Sequence, residues 1–120
     1  MGVLIYGISE ESIEIPDRIL DHLRVLFATK LRRGESFPVN FKMRADARGG
    51  RETLWIHPSI PVRFVFESDN ATEIDENLLQ ELARRSNTTT GLAIDLNEWD
   101  AARMPNPRSI APRPELERAA

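Results

Sequence analysis

The spacing of hydrophobic positions along the chain changes several times, and each change predicts an element. Val3 to Tyr6 is a short apolar run and Ile13-Glu-Ile15 alternates before Pro16, so the polar stretch Ser9-Glu-Glu-Ser12 between them predicts a β-hairpin. From Asp17 the period becomes helical, with Ile19, Leu20, Leu23, Leu26, Phe27 and Leu31 on one face. Asp17 is the expected N-cap and Gly34 the expected C′ glycine of a helix running to about Arg33, whose last turn carries Lys30, Arg32 and Arg33 at the negative end of the dipole.

Ser36 to Met43 then alternates with period two, placing Phe37, Val39, Phe41 and Met43 on one side of a strand and Pro38, Asn40 and Lys42 on the other. A basic loop follows, and Thr53 to His57 predicts the next strand. Pro58 and Pro61 remove two backbone donors and must interrupt pairing, after which Val62, Phe64 and Phe66 resume the alternation. Asp75 is the expected cap of a second helix whose apolar positions are Leu78, Leu79, Leu82 and Ala83. Asn87-Thr-Thr-Thr90 ends it, Gly91 turns the chain, and Leu92 to Leu96 supplies a last strand. The order ββαβββαβ predicts an α+β fold with a mostly antiparallel sheet and two helices packed on one face. Leu54, Ile56, Val62, Phe64 and Phe66 are expected in the core. Residues 1–99 form the expected domain and 100–120, which contain four prolines, an expected mobile tail.

Composition narrows the class. A chain of 120 residues with 41% hydrophobic content holds one core. There is no cysteine, hence neither a disulfide framework nor a thiolate metal site, and no apolar window approaches the roughly 20 residues of a membrane span. A cytoplasmic protein without a membrane partner is the expectation. The net charge of −3 conceals a segregation. Residues 18–63 hold ten Lys/Arg against four acids, while residues 64–100 hold nine acids against Arg84 and Arg85. A basic surface beside an acidic one suits an anionic partner, self-association, or simple mutual neutralisation within the fold.

Period two puts Trp55, His57 and Arg63 on the face opposite the core, together with Lys42. A Trp among cations on a solvent face suits stacking of single-stranded nucleic acid, and equally suits the centre of a protein interface or a homodimer. A purely structural account competes with both, in which the tail or Trp99 covers Trp55 and Arg63 stacks on its ring. Arg44, Arg48 and Arg51 in the loop, with Arg32 and Arg33 brought near it from the helix end, extend the basic surface. Catalysis finds little support. His57 and Ser59 lack a placed carboxylate, and His22 and His57, the only histidines, fall on different elements without metal-ligand spacing. No catalytic residue, metal or cofactor is expected.

The segments Lys30-Leu-Arg-Arg-Gly-Glu-Ser-Phe37 and Leu54-Trp-Ile-His-Pro-Ser-Ile-Pro-Val-Arg-Phe64, with Asn87 to Leu92 and the opening Met1-Gly-Val-Leu-Ile-Tyr6, resemble a family of small uncharacterised actinobacterial proteins over roughly residues 1–96. Its members often carry the label "ATP-dependent DNA ligase". Ligase chemistry needs a lysine nucleophile in Lys-x-Asp-Gly, whereas the two lysines here lie in Lys30-Leu-Arg-Arg and Lys42-Met-Arg-Ala. The chain is also smaller than a nucleotidyltransferase core. The expectation is therefore a non-enzymatic binding module for protein or for itself, with a DNA- or RNA-binding accessory protein as the alternative.

Overall fold

A computed structural model describes residues 1–8, 11–46 and 49–98. The elements follow the expected order: β1 (Gly2–Tyr6), β2 (Glu11–Ile15), α1 (Asp17–Arg32), β3 (Phe37–Lys42), β4 (Arg51–Ile56), β5 (Val62–Val65), α2 (Glu76–Ser86) and β6 (Leu92–Asp95). The fold is α+β. The strands form two three-stranded sheets, however, β2-β1-β5 and β4-β3-β6, with no ladder between β4 and β5. All pairs are antiparallel except β3 with β6, which run parallel and are connected through β4, β5 and α2. The split falls at Pro58–Pro61, where the missing donors stop the ladder.

One contiguous core lies between the sheets and helices. Leu4, Ile15, Ile19, Leu20, Leu23, Val39, Phe41, Ile56 and Leu92 are fully enclosed, and Phe27 meets Phe37 and Phe64 edge-on at 5.3 and 5.6 Å. Each such side chain contributes about 1.5–3 kcal/mol by leaving water, which is what holds α1 on the strands. Of the five residues expected to make the core around the proline corner, Ile56 is buried, whereas Leu54, Val62, Phe64 and Phe66 are half-buried. They sit on β4 and β5 or just past β5, the two strands that become sheet edges where the sheet divides.

The caps divide. Asp75 accepts hydrogen bonds from the Asn77 and Leu78 amides, as expected, and Gly34 adopts φ +75° after α1. Asp17 does not cap. Pro16 occupies that position, and the Asp17 carboxylate instead accepts the Glu67 and Ser68 amides, tying the loop after β5 to the start of α1. Helix α1 also buries charge that its periodicity leaves on the surface. Asp21 accepts from the Thr72 amide at 2.9 Å and Arg24 at 3.0 Å. Burial alone would push its carboxyl up, but these two donors outweigh it and hold the group below the usual carboxylate range. His22 is wholly enclosed, with Nδ1 against the Arg18 carbonyl at 2.7 Å and Nε2 accepting the Asp75 amide at 2.9 Å.

The basic cluster expected from Arg32, Arg33 and the loop Arg44/Arg48/Arg51 is not assembled. Helix α1 delivers the chain to the start of β3, and the loop leaves its end, so the full strand separates them by about 17 Å at 3.3 Å per residue. Lys30 is 6% exposed: its ammonium donates to Asn87 Oδ1 at 2.8 Å and Glu35 Oε1 at 3.1 Å and lies 5.2 Å from the Phe37 ring centroid. It is a strut between helix ends. Arg48 and the segment 100–120 fall outside the described residues, as does Trp99.

Candidate functional site

The second sheet turns one side to the helices and the other to solvent. Register aligns Pro38 with Trp55, Asn40 with Thr53, and Lys42 with Arg51, while Ala93 and Asp95 of β6 stand beside Asn40 and Lys42. Because successive side chains alternate, these residues share the outer side, and Phe37, Val39, Phe41 and Ile56 share the inner one. Trp55 is 58% exposed there, whereas Ile56 beside it is fully buried.

The polar residues on this side are fixed to one another. Thr53 Oγ1 donates to Asn40 Oδ1 at 2.7 Å, and Asn40 Nδ2 donates to the Thr90 carbonyl at 2.9 Å, which joins β4, β3 and the approach to β6. Gly91 makes the last strand's entry fit. Its φ is +85°, and a Cβ there would stand 2.5 Å from both Cγ and O of Pro38. Pro38 itself breaks no ladder with β4. Met43 donates to the Gly50 carbonyl, which marks the odd residues of β3 and even residues of β4 as the hydrogen-bonded pairs, leaving Pro38 and Trp55 a non-bonded pair.

Tyr6, at the end of β1, connects the two sheets. Its hydroxyl donates to the Trp55 carbonyl and accepts the His57 amide at 3.2 Å. Burial pushes this hydroxyl's pKa up, which keeps it a donor. By pattern alone Tyr6 counts among the apolar residues of its strand. The available signal was chemical: a tyrosine packed at a strand end still needs a partner for its hydroxyl.

Trp55 and Arg63 both lie outward and exposed but belong to different sheets, and among the described residues no ring contact joins them. His57 follows β4 and closes a local turn, its Nδ1 accepting the Ser59 amide at 3.1 Å with Ser59 Oγ at 2.8 Å. Those bonds close the proline corner locally. Of the cations, Arg44 forks onto Asp46 at 2.8 and 3.1 Å, Lys42 lies 4.0 Å from Asp95, and Arg33 lies 3.9 Å from Glu35. Arg32, Arg51 and Arg63 are exposed, and no carboxylate among the described residues meets them.

A shallow cleft of about 520 Å³ opens beside this side, lined by Lys42, Met43, Ala45, Gly50, Arg51 and Asn97. Neither His22 nor Asp21, whose ionisation the fold perturbs, borders it. Among the described residues no three His, Cys, Asp or Glu side chains are grouped to hold a metal ion, and no helix is long and apolar enough to cross a membrane.

No curated protein and no solved structure matches the chain. Over residues 1–97, which include every strand and helix just described, the sequence matches the domain of unknown function DUF7882, and the chain belongs to that family.

Proposed function

We propose that this chain is a non-enzymatic cytoplasmic module that binds a protein through the outer side of the β4-β3-β6 sheet, with Trp55 as the anchor. The observation that carries the reading is Trp55 itself, 58% exposed on a sheet surface whose neighbours Thr53 and Asn40 are locked by hydrogen bonds. An indole held in water on a rigid platform is the kind of group that gains most from being covered, because two torsions suffice to place a large apolar surface. Arg51, four residues earlier on the same side of β4, gives the surface a cation that pairs readily with carboxylate.

The nucleic-acid reading has less behind it. Lys42 and Arg44 already lie against Asp95 and Asp46, so phosphates would compete with fixed acids, and Arg32 and Arg33 stand at the far end of β3. It rests on Arg51 and Arg63. The cytoplasmic assignment rests on the absence of cysteine.

Immobilised wild-type and Trp55→Ala chains, exposed side by side to native cell extract at low and high salt, test the reading. A protein retained by the first and lost from the second at both salts is expected. Equal retention by the two, or a steeply salt-dependent shift of an oligo(dT) strand that Arg51→Ala abolishes, overturns it.

A further inference from the structure

Strand β4 is the edge of its sheet, and the backbone groups it turns outward can be identified residue by residue. Two observations agree on their parity. The Met43 to Gly50 bond assigns even residues of β4 to the ladder with β3, and the Trp55 carbonyl meets Tyr6 on the opposite side. Arg51, Thr53 and Trp55 therefore point their N–H and C=O groups off the edge. Of these, the Trp55 carbonyl is taken by Tyr6, while the Arg51 and Thr53 amides and carbonyls and the Trp55 amide meet no hydrogen-bond partner among the described residues. The free stretch is short and stops at the Tyr6 hydroxyl.

The side chains around that stretch state what could lie against it. On the inner side Leu54 is only half-buried, so the margin of the core is open at the edge. On the outer side are Trp55 and Arg51, the latter an exposed cation that no acid meets among the described residues. The nearest acids are engaged or turned away: Glu67 holds the N-terminal ammonium, and Glu52 is half-buried on the inner side.

We infer that β4 accepts an extended acidic segment of a partner protein as an added antiparallel strand, its apolar residues over Leu54 and its carboxylates on Arg51. The inference rests on the protein-binding reading above and specifies how that binding occurs. Main-chain pairing supplies affinity in this mode, and alternate side chains supply selectivity.

The test uses a labelled peptide in which Glu and Val alternate, followed by fluorescence anisotropy. Thr53→Pro removes an outward amide and no ladder bond, because proline is accommodated on an edge at a non-ladder position. Thr53→Val, which keeps the amide and loses only the Thr53 Oγ1 bond to Asn40, is the control and must bind like the wild type. Thr53→Pro is expected to weaken binding by about tenfold, the loss of one good hydrogen bond. Methylating alternate amides of the peptide must weaken binding similarly, which repeats the test without altering the protein. Replacing every Glu by Lys must abolish it. Equal binding of the Lys peptide, or indifference to both Thr53→Pro and methylation, overturns the inference. So does a dimer of this chain that Thr53→Pro dissolves while no peptide binds, since the edge then serves a second copy. Absence of peptide binding alongside a partner lost from Trp55→Ala sinks strand addition but leaves the Trp55 surface standing, whereas retention indifferent to Trp55→Ala removes both.

Discussion

The Tyr6 hydroxyl donates to the Trp55 carbonyl, so a side chain of one sheet finishes the backbone of the other. The same oxygen accepts the His57 amide. This pair of bonds lies where the ladder between β4 and β5 would have begun had Pro58 and Pro61 allowed one.

Tyr6→Phe removes both bonds and leaves the packing of the ring. The freed groups are near solvent and regain water, so the expected loss is about 1 kcal/mol in urea unfolding, with faster amide exchange at His57 than in the wild type. An unchanged His57 exchange rate would show that the hydroxyl does not hold this junction.

His22 makes stability depend on pH. Burial depresses its pKa first; the Arg18 carbonyl, Asp75 and Asp21 act upward and the Arg18 guanidinium downward, and the net shift is below the ordinary value of 6.5. The unfolded chain therefore takes up a proton that the folded chain resists. Its stabilising contribution is complete above pH 6.5 and declines as pH falls from there toward the depressed folded value. Protonation would set an N–H against the Asp75 amide. His22→Leu is expected to cost about 1–3 kcal/mol at pH 7.5 by stranding that amide, and to remove this part of the acid slope, read from urea midpoints across pH.

Lys30 reads as a surface cation and behaves as an internal strut. Lys30→Met keeps the length of the side chain but leaves Asn87 Oδ1 without its donor, for an expected loss of about 1–3 kcal/mol. Binding of any partner to the Trp55 surface should not change once the variant is folded, because Lys30 lies beyond the opposite end of β3 from Arg51. A variant as stable as the wild type contradicts the strut.

Gly91→Ala combines a positive φ with a clash on Pro38. The two effects together predict about 2–4 kcal/mol of destabilisation, measurable by thermal or urea unfolding. Trp55→Ala, by contrast, should shift stability by no more than about 0.5 kcal/mol, because the ring is largely in solvent. A large destabilisation would mean that the indole serves the fold and is not available for a partner.

Much of the fold was legible because it depends on short-range pattern. The switch from helical spacing at Leu23 and Phe27 to alternation at Phe37, Val39 and Phe41 fixed the elements and their inner faces, and Gly34 and Asp75 marked helix ends through local chemistry. The candidate surface was legible in part: alternation put Trp55 outward, and it is exposed there, whereas Arg51, expected in the basic loop, is the first residue of β4. The assembly of the surface was not. Nothing in the spacing of Arg32, Arg33 and Arg44 says that a strand's full length separates them.

The sequence by itself determined which residues are helical, which are extended and which side of each strand is apolar, since those follow from dihedral preference and side-chain period. Only the tertiary structure decided that the sheet divides at the proline corner, that β6 runs parallel to β3, that His22 and Lys30 are enclosed, and that the Tyr6 hydroxyl caps one end of the β4 edge. Each of these turns on contacts between residues far apart in the chain, where geometry selects among partners that local pattern leaves equivalent.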